Sequence, residues 1–137
     1  MTGIVKINHV AIAVNDLDDS LVFWRDVLGL NLQHIEDVPE QKSKVAFFPV
    51  GDSEVELVCP TEPDTGLAKF LESKGPGMHH LCFEVENIDA ALAEMTAKGV
   101  KLINPQALVL PGRKMAFIHP KSTGGVLVEL YEILSNG

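Results

Sequence analysis

Asn8-His9-Val10-Ala11-Ile12-Ala13-Val14 and His79-His80-Leu81-Cys82-Phe83-Glu84-Val85 decide the fold, because they are one strand pattern written twice, 71 residues apart. Each carries a His just ahead of a run of alternating side chains, and each is followed by a polar helix start: Asn15 or Asp16 in the first, Asn87 in the second. Leu17, Leu21 and Trp24 then recur at the same offset as Ile88, Leu92 and Met95, the spacing of one helix face. Gly29 and Gly99 stop the two helices. Second strands are expected at residues 30–35 and 100–103. Third strands follow at 44–50 and 114–119, with Pro49 and Pro120 marking their ends. The fourth strands are 54–58 and 127–131, the two extra residues of the second copy falling at Gly124-Gly125. Each half therefore reads βαβββ.

The modules span about residues 4–60 and 78–133, joined by 61–77, a Pro- and Gly-rich stretch holding one short helix at 65–73 started by Asp64. Neither module can bury its sheet alone. The expected fold is α+β, a single domain over 1–137 in which the two sheets lie side by side as a curved half-open barrel with helices on the convex side.

Composition fixes the function classes that drop out. A hydrophobic fraction of 46% with 22% charged residues is that of a globular chain. Nineteen acidic against eleven basic residues, a net charge of −8, argue against nucleic acid or an anionic membrane surface as partner. Two cysteines, Cys59 and Cys82, form no framework or metal-type spacing and read as reduced core residues. No secretory signal or membrane-length apolar run is visible, so the expected location is cytoplasmic.

Strand parity selects candidate ligands, since residues i and i+2 share a face. Val10, Ile12 and Val14 form the apolar face that packs under the helix, leaving His9, Ala11 and Ala13 on the concave side, where the small residues would floor a cup. In the second copy Leu81, Phe83 and Val85 are the apolar set. His79 shares their parity and is expected in the core, whereas His80 faces the cup. Glu56, between Val55 and Leu57, and Glu129, between Val128 and Leu130, open to the same side. A lone strand His or Glu is most often structural. Duplicated, and at the right parity in apolar strands, the four form a nitrogen and oxygen set suited to a divalent metal such as Co, Ni, Mn, Zn or Fe.

Three further stretches carry a resemblance: Val38-Pro39-Glu40-Gln41, Gly77 to Val85, and His119-Pro120-Lys121 running on through Gly124-Gly125 to Leu130. From Asn8 to Glu132 the chain resembles the vicinal-oxygen-chelate (glyoxalase) superfamily and, within it, the epimerases that act on methylmalonyl thioesters of CoA. The resemblance implies metal ligands at His9, Glu56, His80 and Glu129, with Glu56 the most replaceable, and cobalt as the metal. It also implies catalytic carboxylates at Glu40 and Glu129, an acyl-CoA substrate and a homodimer. By itself Glu40, beside Gln41 and Lys42, reads as a solvated loop residue. Lys44, Arg113, Lys114 and Lys121 are candidates for the CoA phosphates. Rival readings are a lactoylglutathione lyase of the same superfamily, which needs no base at Glu40, and a metal-free ligand-binding or resistance protein, which would lack the four ligands. A ring-cleaving dioxygenase would use only one carboxylate.

Overall fold

A computed structural model describes residues 3–135, in two compact units: one holds His9–His79, and the other starts at His80 and takes in the beginning of the chain up to Asn8. In the first unit the elements are the second half of β1 (Ile4–Ala13), α1 (Leu17–Leu21), β2 (His34–Val38), β3 (Ser43–Val50), β4 (Ser53–Pro60) and α2 (Gly66–Lys74). In the second they are most of β5 (Gly77–Val85), then α3 (Ile88–Ala97), β6 (Leu108–Leu110), β7 (Arg113–Ile118) and β8 (Val128–Ile133).

The two orders match. Strands run β2-β3-β4-β1 in the first unit and β6-β7-β8-β5 in the second. In each, the first and last strands of the module pair in parallel and the others antiparallel. The repeat extends to register: Glu56 lies between Ala11 and Phe47, and Glu129 between Cys82 and Phe117. The βαβββ reading of each half is thus borne out.

Local signals explain where the helices begin. Asp16 Oδ1 accepts from Asp19 N and Asn87 Oδ1 from Ala90 N, each at 3.0 Å, satisfying amides that the first turn leaves unpaired. The linker helix starts differently from expectation. Thr65 Oγ1 caps it at 3.1 Å from Ala68 N, while Asp64 sits before the cap in left-handed backbone, φ 63°.

In the first unit both faces of the sheet are covered. Ile12, Val14, Ala46, Phe48, Val55 and Leu57 pack with Leu17 and Leu21 of α1. Ala11, Ala13, Val38, Val45 and Val58 pack with Leu67, Phe70 and Leu71 of α2. The small residues expected to floor a cup are instead the seat of α2, because a side chain no longer than a methyl lets a helix approach the sheet. Leu71 is 9% exposed. Leu71→Ala should therefore lower the unfolding free energy by about 2–3 kcal/mol, read as a fall in the urea midpoint with an unchanged slope.

In the second unit Phe83, Val85, Ala116, Ile118, Val128 and Leu130 meet Ile88, Ala91 and Leu92 of α3. Three sequence expectations shift. After Leu21 the first helix widens into a π-helical turn over Val22–Val27, with Leu28 N bonded to Phe23 O at 2.7 Å. Leu30 and Leu32 join the core ahead of β2 rather than lying in it. In the second copy residues 100–103 supply only a bridge from Leu102 to Ile118, and the edge strand is β6. There Asn104 Oδ1 takes the Phe117 amide at 2.8 Å and Pro105 has no amide to pair, so a continuous ladder stops. Among the described residues, no helix is long and apolar enough to cross a membrane.

Candidate metal and catalytic site

Each unit buries one His–Glu pair. His9 Nδ1 lies 3.2 Å from Glu56 Oε2 in the first unit, and His80 Nε2 lies 3.0 Å from Glu129 Oε1 in the second. His9 and Glu129 are 1% exposed and Glu56 7%. Both pairs stand on the faces chosen by parity: Glu56 shares its side with Val58 and Ala11, opposite to Leu57, and Glu129 shares its side with Cys82, opposite to Leu130. Phe47 and Phe117 flank the two glutamates, and the Phe117 ring meets the His80 ring edge-on at 5.4 Å.

A carboxylate removed from water costs several kcal/mol unless a cation or strong donors face it. Here the burial occurs twice, at equivalent positions, with an imidazole beside each carboxylate. That donor set of ring nitrogens and carboxylate oxygens fits a divalent ion of borderline hardness. Cys82, fully buried beside Glu129, adds a sulfur within 4.8 Å of a Glu129 oxygen. The sequence reads it as a core thiol, although it shares the strand parity of His80. Both cysteines are thiols rather than a disulfide, and burial raises the pKa of Cys59 above that of an exposed thiol.

The Glyoxalase/Bleomycin resistance protein/Dioxygenase superfamily matches residues 8–117. The mouse mitochondrial methylmalonyl-CoA epimerase is 40% identical over 127 residues, 91% of this chain and 71% of that protein. This chain belongs to the methylmalonyl-CoA epimerase family. Among the family's other members, the ethylmalonyl-CoA/methylmalonyl-CoA epimerase of Cereibacter sphaeroides is 35% identical, covering 93% of this chain and 98% of its own. A variant of Streptomyces coelicolor methylmalonyl-CoA epimerase, solved with 2-nitronate-propionyl-CoA, superposes with a TM-score of 0.88 at 31% identity, over 97% of this chain and all of that one. The glyoxalase fold read from the sequence is therefore the fold of the chain.

Other candidates of this epimerase-family chain lie elsewhere. Glu40 is exposed on a short 3-10 turn, Pro39–Gln41, closed by Lys42 in left-handed backbone at φ 50°. The turn adjoins Ser43, whereas Glu56 lies opposite Phe47, four residues along β3 and so roughly 13 Å of strand away. Glu40 thus stands apart from the His9–Glu56 pair of its unit. His79 does not enter the core expected for it: its ring meets Phe70 of α2 edge-on at 4.9 Å. Of the basic residues, Lys114 lies on the α3 face and bonds Asp89 at 2.8 Å, a contact that raises its pKa and turns it from the Glu129 side. Lys44 and Lys121 are exposed. Arg113 alone of the four shares the Glu129 face.

Proposed function

We propose that this chain interconverts the two epimers of methylmalonyl-CoA by α-proton transfer, with a divalent metal held by His9, Glu56, His80 and Glu129. The observation that carries the reading is the duplicated buried His–Glu pair, in a chain whose relatives are named for this reaction. A bound divalent ion would act as a Lewis acid toward the negative charge that develops when the α-proton leaves. Cobalt is the first choice for it, with Ni, Mn, Zn and Fe as alternatives.

Inverting a carbon between a thioester and a carboxylate needs proton removal on one face and delivery on the other. Two acid/base groups are required. Glu129 and Glu40 take these parts. Glu129 is buried and held against His80 at 3.0 Å. Glu40, exposed and not a ligand, is able to exchange its proton with solvent between turnovers. The working assembly is a homodimer in the cytoplasm, and sedimentation of the purified protein at twice the chain mass tests the first part.

The deciding experiment incubates metal-loaded protein with methylmalonyl-CoA in D2O. Deuterium should enter the α-position, stop entering after chelation, and resume on adding Co2+. No exchange, with turnover of a glutathione hemithioacetal instead, would assign the chain to the lactoylglutathione lyases. Glu56→Gln keeps an oxygen donor at the least demanding ligand position, so metal should be retained and exchange should fall by no more than roughly tenfold.

A further inference from the structure

Arg113 opens β7 on the face that carries Glu129. Arg113, Met115 and Phe117 alternate with Lys114, Ala116 and Ile118 of the α3 face, and Phe117 and Met115 sit opposite Glu129 and Tyr131. The guanidinium carbon lies 5.4 Å from the centroid of the Tyr131 ring. Tyr131 is two residues past Glu129, roughly 7 Å along β8. Arg113 Nη1 donates to the Pro111 carbonyl at 3.4 Å, while Nε is buried without a hydrogen-bonding partner among the described residues.

A charged donor buried and left unsatisfied is costly to the fold, and an arriving acceptor recovers that cost. The planar fork of a guanidinium matches a carboxylate at two points, and stacking on an aromatic ring fixes its plane. We infer that Arg113 binds the free carboxylate of the substrate, so that the site selects acyl-CoA thioesters bearing a second acid group over neutral ones. This rests on the epimerase reading of the Glu129 site. The CoA phosphates are the other anions of such a substrate, but they lie at the far end of the pantetheine arm from the thioester. Arg113 itself pairs with Ile133, four residues along β8 from Glu129, but its guanidinium reaches back over Tyr131, two residues from Glu129, toward the acyl end. Lys114, next along the chain, is committed to Asp89 on the opposite face and does not substitute for it.

The test uses metal-loaded protein and compares malonyl-CoA with propionyl-CoA, thioesters with and without the acid group, by isothermal titration calorimetry. Wild type should prefer malonyl-CoA, and Arg113→Met should cut malonyl-CoA affinity by roughly tenfold to a hundredfold, the worth of a charge-assisted pair. Propionyl-CoA affinity, metal content and melting temperature should stay as in wild type. Arg113→Lys keeps the charge without the fork and should recover part of the loss, which also covers the case in which the Met variant does not fold. A malonyl-CoA preference that survives in Arg113→Met, or is absent from wild type, overturns the assignment. Failure of the epimerase reading looks different: no α-deuterium enters methylmalonyl-CoA, although the Arg113-dependent preference in binding persists.

Discussion

Glu129→Gln is expected to lower net epimerisation by about a thousandfold or more, since it removes an acid/base group and a charged metal donor together. The substitution preserves volume and leaves an amide oxygen beside His80, so folding should survive. Circular dichroism and melting temperature should resemble wild type, which separates the loss from unfolding. Metal content after gel filtration should fall as well, because a neutral amide is a poorer ligand than a carboxylate for a divalent ion. The contrast with Glu56→Gln is the informative part. Both glutamates are buried beside an imidazole at equivalent register positions, yet only Glu129 is assigned proton transfer. Supplying excess Co2+ should restore metal to Glu129→Gln, and with it exchange of the one epimer that Glu40 serves, without restoring epimerisation. If added metal restores the rate in full, Glu129 is a ligand alone and the proton is moved by another group.

The repeat made much of this legible before any coordinates. A strand has a period of two, so a His or Glu set among alternating apolar residues declares its side once the apolar residues are known to need a helix over them. That argument separated His80 from His79, and the structure pairs His80 with Glu129 while His79 meets Phe70. What parity cannot supply is the partner that covers a face. Ala11 and Ala13 are small in either environment, and only the packing of Leu67, Phe70 and Leu71 shows that α2 fills that side. The π turn was hidden because Leu17, Leu21 and Trp24 satisfy the ordinary helical spacing, while the widening leaves Val22, Phe23 and Val27 exposed. The position of Arg113 required the β7–β8 register. Sequence gives its parity within β7 but not that Phe117 stands opposite Glu129.

Glu40→Gln should abolish net epimerisation, by about a thousandfold, and yet leave one epimer able to exchange its α-proton with D2O. A two-base reaction predicts this asymmetry. Removing the group on one face stops proton transfer there, while Glu129 still takes and returns a proton on its own face, so deuterium enters one epimer without inversion. Metal content should be unchanged, because Glu40 lies on the Pro39–Gln41 turn and not against His9 or Glu56. The same geometry makes the test a demanding one. The strand between Ser43 and Phe47 separates the turn from the His9–Glu56 pair, so the substrate must extend toward Glu40 or the turn must fold inward over it. Pro39 and the left-handed Lys42 fix both ends of that turn, which limits how far its tip travels. Exchange of both epimers at the wild-type rate in Glu40→Gln would mean that the second proton is carried by a group nearer the pairs. Retained inversion with exchange slowed equally for both epimers would place Glu40 outside the chemistry and leave Glu129 to act on both faces.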